Sequence, residues 1–170
     1  MKIVVLKFGG TSVADVNQIK KIAVKVKKEV KKGNKVIVVV SAMAGVTNNL
    51  IELVKSTSEK PSYSEYDVVV STGEQVTSAL LAIALENLNI KARSWLGWQV
   101  PIISDKSYGK AIIEDIKTDQ IIEFFKKNQV AIISGFQGVS DDNRITTLGR
   151  GGSDTSAVAI AASFSADRCD

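Results

Sequence analysis

Four stretches of this sequence repeat one pattern, in which an apolar run ends at small or hydroxyl residues before a segment with helical periodicity: VLKFGGTS, VVVSAMAG, VVVSTGEQ and AIISGFQG. The runs KIVVLKF and KVIVVVS are apolar at nearly every position. Strands of that kind lie inside a parallel sheet, where helices cover both faces. Parallel neighbours need a crossover between them, and the intervening segments supply it. Repeated units of this kind predict an α/β fold with an open, mostly parallel sheet and helices on both faces. Ligands of such sheets bind beyond the carboxyl ends of the strands, so the loops of all these units are expected along one edge.

The first helix is expected at about residues 15 to 32, with Val16, Ile19, Ile22, Ala23, Val26 and Val30 on its inner stripe and lysines on the other face. AGVTNNLIELVKS reads as a second helix and SEKPSYSE as a surface connection. DVVV is expected to be a strand leading into VTSALLAIALENL, a helix apolar nearly all round and therefore buried. KARSWLGWQVPIIS holds short strand pieces with Pro101 at an edge or bend, and AIIEDIK another strand. TDQIIEFFKK has the marks of a surface helix capped by Thr118, and AVAIAASF forms the last helix.

A chain of 170 residues with 45% apolar composition fits one domain with a sizeable core. No single apolar run looks long enough to span a membrane, and the apolar stretch of MKIVVLKFGG is too short for a signal peptide. A cytoplasmic protein without a membrane partner is expected. The net charge of +4 comes largely from KKIAVKVKKEVKKGNK. Its lysines read as a solvated helix face; a nucleic-acid patch would bring arginine and aromatics as well. Cys169 is the single cysteine and can form no internal disulfide. With no histidine and one cysteine, a Ser-His-Asp triad, an HExxH site and a zinc cluster are all excluded. Lysine, arginine, carboxylates, hydroxyls and backbone amides remain, and phosphoryl transfer needs little else from a protein.

The segment TTLGRGGSDT, residues 146 to 155, combines three glycines, an arginine and an aspartate. Glycines let the backbone approach a ligand, and Ser153-Asp154-Thr155 reads as a helix start with amides open to an anion. Arg150 adds a planar fork suited to a carboxylate or phosphate. The same residues also read as a glycine-rich turn with an ordinary cap. No Walker A motif is present, and GRGGSD lacks the third glycine of the dinucleotide fingerprint. Lys7 ends an apolar strand, where it either meets an anion or extends its ammonium to water. Glu74 follows Ser71-Thr72-Gly73 at a helix start; it is either a first-turn acid complementing the dipole or the partner of a substrate ammonium.

KFGGTSV at 7 to 13, SAMAGVT at 41 to 47, STGEQVTSALL at 71 to 81, GFQG at 135 to 138 and TTLGRGGSDT resemble, in the same order, the motif set of aspartokinases. The resemblance spans essentially the whole chain. It implies the amino-acid kinase fold, which is Rossmann-like, and transfer of the γ-phosphoryl group of ATP, with magnesium carried by the nucleotide, to the side-chain carboxylate of L-aspartate. The product would be 4-phospho-L-aspartate, on the way to lysine, threonine and methionine. By similarity Lys7 stabilises charge on the phosphoryl group, Asp154 orients Lys7, and Gly9, Gly10 and Ser12 hold nucleotide phosphates. Ser41 and Thr47 lie near the acceptor carboxylate, Glu74 takes the α-ammonium, and Arg150 takes the α-carboxylate with Gly151, Gly152 and Ser153 beside it. The family also suggests a homodimer.

Leu96 and the Val100-Pro101 pair depart from the small or hydroxyl residues that the family usually has there, so no ligand contact is assigned to them. The resemblance further implies that residues 1–170 are the N-terminal portion of a catalytic domain, truncated at its C-terminal side, without the strands that complete the nucleotide pocket or the regulatory ACT domains. Activity of the isolated chain is expected to be weak or absent. Alternative functions are a glutamate or acetylglutamate type of amino-acid kinase, or a non-catalytic anion-binding domain. An acylated amine carries no charge for Glu74 to pair with, which disfavours acetylglutamate.

Overall fold

The structure is a computed structural model that describes residues 2–149 and 151–170. In chain order its elements are β1 (Ile3–Phe8), α1 (Val16–Lys31), β2 (Lys35–Val40), α2 (Val46–Thr57), α3 (Tyr63–Val70), α4 (Thr72–Glu86) and β3 (Ala92–Trp95). There follow β4 (Ile102–Ser104), β5 (Ile113–Ile116), α5 (Asp119–Phe125), β6 (Val130–Ser134), β7 (Gln137–Val139), β8 (Ile145–Thr147), α6 (Gly152–Ser163) and β9 (Arg168–Cys169). Five strands form a wholly parallel sheet in the order β3-β6-β2-β1-β9. The expected α/β architecture is therefore present.

Alternation along the strands sends successive side chains to opposite faces, and each face has its own core. Val4, Leu6, Val36, Val38, Val40, Val130 and Ile132 pack beneath α1 and α4. Ile3, Val5, Ile37, Val39, Ala131 and Ile133 pack against α5 and α6. This double burial is why β2 and β6 read as unbroken apolar runs. In α1, Ile19, Ile22, Ala23, Val26 and Val30 are buried as expected, and Asp15 caps the helix by accepting from the Gln18 amide at 2.9 Å. Val16 departs from the expected stripe and is exposed.

Three further expectations are corrected. DVVV is no strand but the end of α3, and Ser71 passes the chain directly into α4. The helix α4 is not buried all round: Leu81, Ala82 and Leu85 face the core, while Val76 and Ile83 face outward. Taken together, Tyr63–Glu86 is long and apolar enough to cross a bilayer, contrary to the sequence reading, and half of its apolar window is buried inside this fold. Its inner face carries Asp67, Glu74, Thr77 and Ser78, which suits a core that has polar partners.

A second sheet, in the order β5-β4-β7-β8, mixes antiparallel and parallel pairs and stands beside the carboxyl edge of the first. The peptide Val100-Pro101 is cis and leads into β4. Asp67 of α3 ties this sheet in place, accepting from the Gly109 amide at 2.9 Å and from both the amide and the hydroxyl of Thr147 at 2.9 and 2.6 Å.

Candidate acceptor site at the carboxyl edge of the sheet

The loops after β1, β2 and β6 converge with the first turns of α2, α4 and α6 around a hollow of about 290 Å³. Gly10 comes from the first loop and Ser41, Ala42 and Met43 from the second. Thr47 and Asn48 open α2, Glu74 opens α4, and Gly151, Gly152 and Ser153 open α6. Gly45 and Gly151 hold the cap positions of α2 and α6 at φ 79° and 76°, left-handed backbone that favours glycine. None of the three helices receives a side-chain cap bond among the described residues. The first-turn amides and positive dipole ends of α2 and α6 are thus turned toward one space, whereas α4 continues from α3 through Ser71 and brings Glu74 to it. The start of α6 lies earlier than Ser153-Asp154-Thr155 suggests: the helix begins at Gly152, and Ser153 belongs to its first turn.

Ser41 and Ser153, 112 positions apart in sequence, share a hydrogen bond of 2.8 Å between their hydroxyls. Glu74 is 4% exposed, and its Oε1 accepts from the Ala42 amide at 3.0 Å. Its other oxygen, Oε2, is buried without a hydrogen-bond partner among the described residues. Burial pushes the carboxyl up to about 7, against the opposing pull of the Ala42 amide and of its own backbone amide. A carboxylate held this way gains by meeting a cation, because the cation restores what desolvation removed.

Lys7 is not in the wall of this hollow. Its ammonium lies 2.6 Å from Asp154 Oδ1, close over Gly9, and it lines a separate groove with Lys25, Glu29, Arg168 and Asp170. Gly9 and Ser12 also lie outside the hollow's wall, and the Ser12 amide closes the turn on the Gly9 carbonyl at 2.9 Å. Arg150 lies outside the described residues. The structure therefore brings Gly10, Ser41, Thr47, Glu74, Gly151, Gly152 and Ser153 together, and sets the Lys7–Asp154 pair beside them.

Sequence reasoning did not assign Phe136, Met43 or Asn48, which also line the hollow. Phe136 has φ 67°, donates its amide to Ser156 Oγ at 3.1 Å and accepts from the Leu148 amide at 2.9 Å. A side chain at Gly152 would meet its ring at 2.7 Å, so Phe136 joins the β6 loop to the start of α6. A non-glycine residue with positive φ inside GFQG leaves no trace in the sequence. Nor does the Ala42 amide, which is backbone. Leu96, Val100 and Pro101 take no part in the hollow.

Known proteins place this arrangement in a family. An aspartokinase of Rickettsia conorii is 53% identical over 173 residues, covering 100% of this chain, which spans 43% of that protein's length. Among solved structures, the aspartate kinase of Synechocystis superposes with a TM-score of 0.84 at 43% identity, covering 98% of this chain and 27% of that one. The structure of E. coli aspartokinase III in complex with aspartate and ADP gives a TM-score of 0.85 at 26% identity over 99% of this chain and 48% of that one. Similarity at the scale of a family is complete, because the pattern of the amino acid kinase family runs from residue 2 to residue 170. The chain belongs to the amino acid kinase family.

Proposed function

We propose that this chain supplies the acceptor side of an aspartate kinase, holding L-aspartate while the γ-phosphoryl group of ATP passes to its side-chain carboxylate. The observation that carries the reading is Glu74, a buried carboxylate at the wall of the hollow with one oxygen unpartnered among the described residues. It is the group an α-ammonium would satisfy. The likeness to aspartokinases supports the choice of acceptor, as does the solved relative that holds aspartate and ADP.

In this reading Ser41 and Thr47 lie by the acceptor carboxylate, while Ser153, bonded to Ser41, and the Gly151 and Gly152 amides at the start of α6 stand beside the α-carboxylate. Arg150 takes the α-carboxylate, a role that rests on its motif. Lys7, held by Asp154, faces the phosphoryl group from outside the acceptor hollow, and the Gly9, Gly10 and Ser12 turn faces the nucleotide phosphates. No general base is needed, because a side-chain carboxylate is ionised near pH 7 and attacks as it stands. Rate enhancement then comes from alignment and charge neutralisation. Magnesium would arrive on the nucleotide, where it neutralises phosphate charge. The reading places residues 1–170 in the N-terminal part of the catalytic domain of a cytoplasmic, homodimeric enzyme.

Labelled-phosphate transfer from ATP by the full-length protein, with aspartate, glutamate and N-acetylglutamate offered separately, tests the proposal. Aspartate is expected to be the acceptor. Preference for N-acetylglutamate, or no transfer to any of the three, overturns it. Lys7→Ala is expected to lower turnover at least about a hundredfold with little change in the aspartate KM, since its interaction belongs to the transition state.

A further inference from the structure

The residue before Glu74, Gly73, packs against the loop whose amide holds the carboxylate. A Cβ placed on Gly73 would lie 2.7 Å from the Cβ of Ala42, 3.3 Å from Val46 Cγ1 and 3.6 Å from Leu50 Cδ1. Carbon atoms in contact sit about 3.5–4.0 Å apart, so the Ala42 contact falls short by roughly 1 Å. The Val46 methyl can yield a few tenths of an ångström. Ala42 is 4% exposed, and its Cβ moves only with the backbone of its loop. That backbone also carries the amide that donates to Glu74 Oε1 at 3.0 Å. Relief of the clash would therefore draw the amide and the carboxylate apart.

Conformation does not explain a glycine here. Gly73 lies within the helical run Thr72–Glu86 and is absent from the positive-φ positions. Alanine is the better helix former, so helix stability alone would favour it. We infer that Gly73 is a positioning residue for the acceptor site: its bare Cα lets the first turn of α4 abut the loop after β2, which fixes Glu74 against Ala42 and at the wall of the hollow. Its bearing on aspartate rests on the role proposed above for Glu74; its bearing on the Glu74–Ala42 bond does not.

The test uses Gly73→Ala, Ala42→Gly and the double variant in the 170-residue chain, with two readouts. The first needs no ligand: the backbone amide resonance of residue 42, followed by NMR as Glu74 titrates. In the unmutated chain and in Ala42→Gly it is expected to move with that titration, in Gly73→Ala to lose most of the movement, and in the double variant to regain it. The second is calorimetry with L-aspartate, where Gly73→Ala is expected to bind about tenfold more weakly and the double variant to match Ala42→Gly within about threefold. Should Gly73→Ala not fold, the double variant against Ala42→Gly decides the same question. An unchanged residue-42 response in Gly73→Ala, or a loss of equal size in both backgrounds, overturns the inference. A restored amide response without aspartate binding in the unmutated chain upholds it and sinks the role proposed for Glu74.

Discussion

At the scale of single residues, Glu74 carries opposite consequences for folding and for binding. Its folded-state value of about 7 lies above the ordinary 4.5, so between those pH values the native chain binds more protons than the unfolded one. Stability must then fall as pH rises through this window, by about 3 kcal/mol once the group is ionised in both states. Glu74→Gln keeps an oxygen for the Ala42 amide and removes the titration. Urea denaturation is expected to show the variant flatter than the unmutated chain between pH 5 and 8, and the more stable of the two at pH 8. Parallel curves would mean that burial does not govern this carboxyl. Aspartate binding responds in the other direction, because an ammonium favours the ionised form: affinity in the unmutated chain is expected to rise with pH toward 8 and to be lost in Glu74→Gln. The protein would tolerate a destabilising carboxylate because a ligand offsets it.

Among the elements, α3 shows how local preference yields to tertiary contact. Three consecutive valines favour a strand, but that preference chiefly reflects fit to a pleated surface and is weak against context. Here the context is Asp67, 0% exposed, whose carboxylate gathers three donors from the 109 turn and from β8. Burial raises its pKa, and those hydrogen bonds oppose the rise. Asp67→Ala is expected to cost about 2–4 kcal/mol in a chemical denaturation experiment, since it strands the Thr147 amide and hydroxyl in the interior. A cost below about 1 kcal/mol would show that the second sheet holds its place without this anchor. Where polarity and periodicity agreed, as in β1, α1, β2 and β6, the elements were legible. The strands of the second sheet were less so: with three or four residues each, they offer too short a period to read. The site divides the same way. Its charged and glycine positions stand out as motifs, whereas Phe136 and the Ala42 amide act through backbone geometry and carry no signature.

For the whole molecule, the hollow is a meeting point of chain segments that lie far apart in sequence. Among the described residues its wall draws on 10, 41–45, 47–48, 74, 136, 149 and 151–153, so the constellation is lost if the parallel sheet or either flanking helix layer comes apart. A ligand bound there is linked to the global unfolding equilibrium, because the unfolded chain keeps none of the constellation. At a hundred times its Kd, L-aspartate should add about 2.7 kcal/mol of stability, and for a chain of this size each kcal/mol raises the melting midpoint by about 2–4 °C. A rise of about 5–10 °C with retained cooperativity is expected. Succinate, which lacks the ammonium, should give much less, and the difference between the two ligands should vanish in Glu74→Gln. If aspartate and succinate shift the midpoint equally in the unmutated chain, the hollow reads carboxylates alone, and Glu74 has no part in choosing the acceptor.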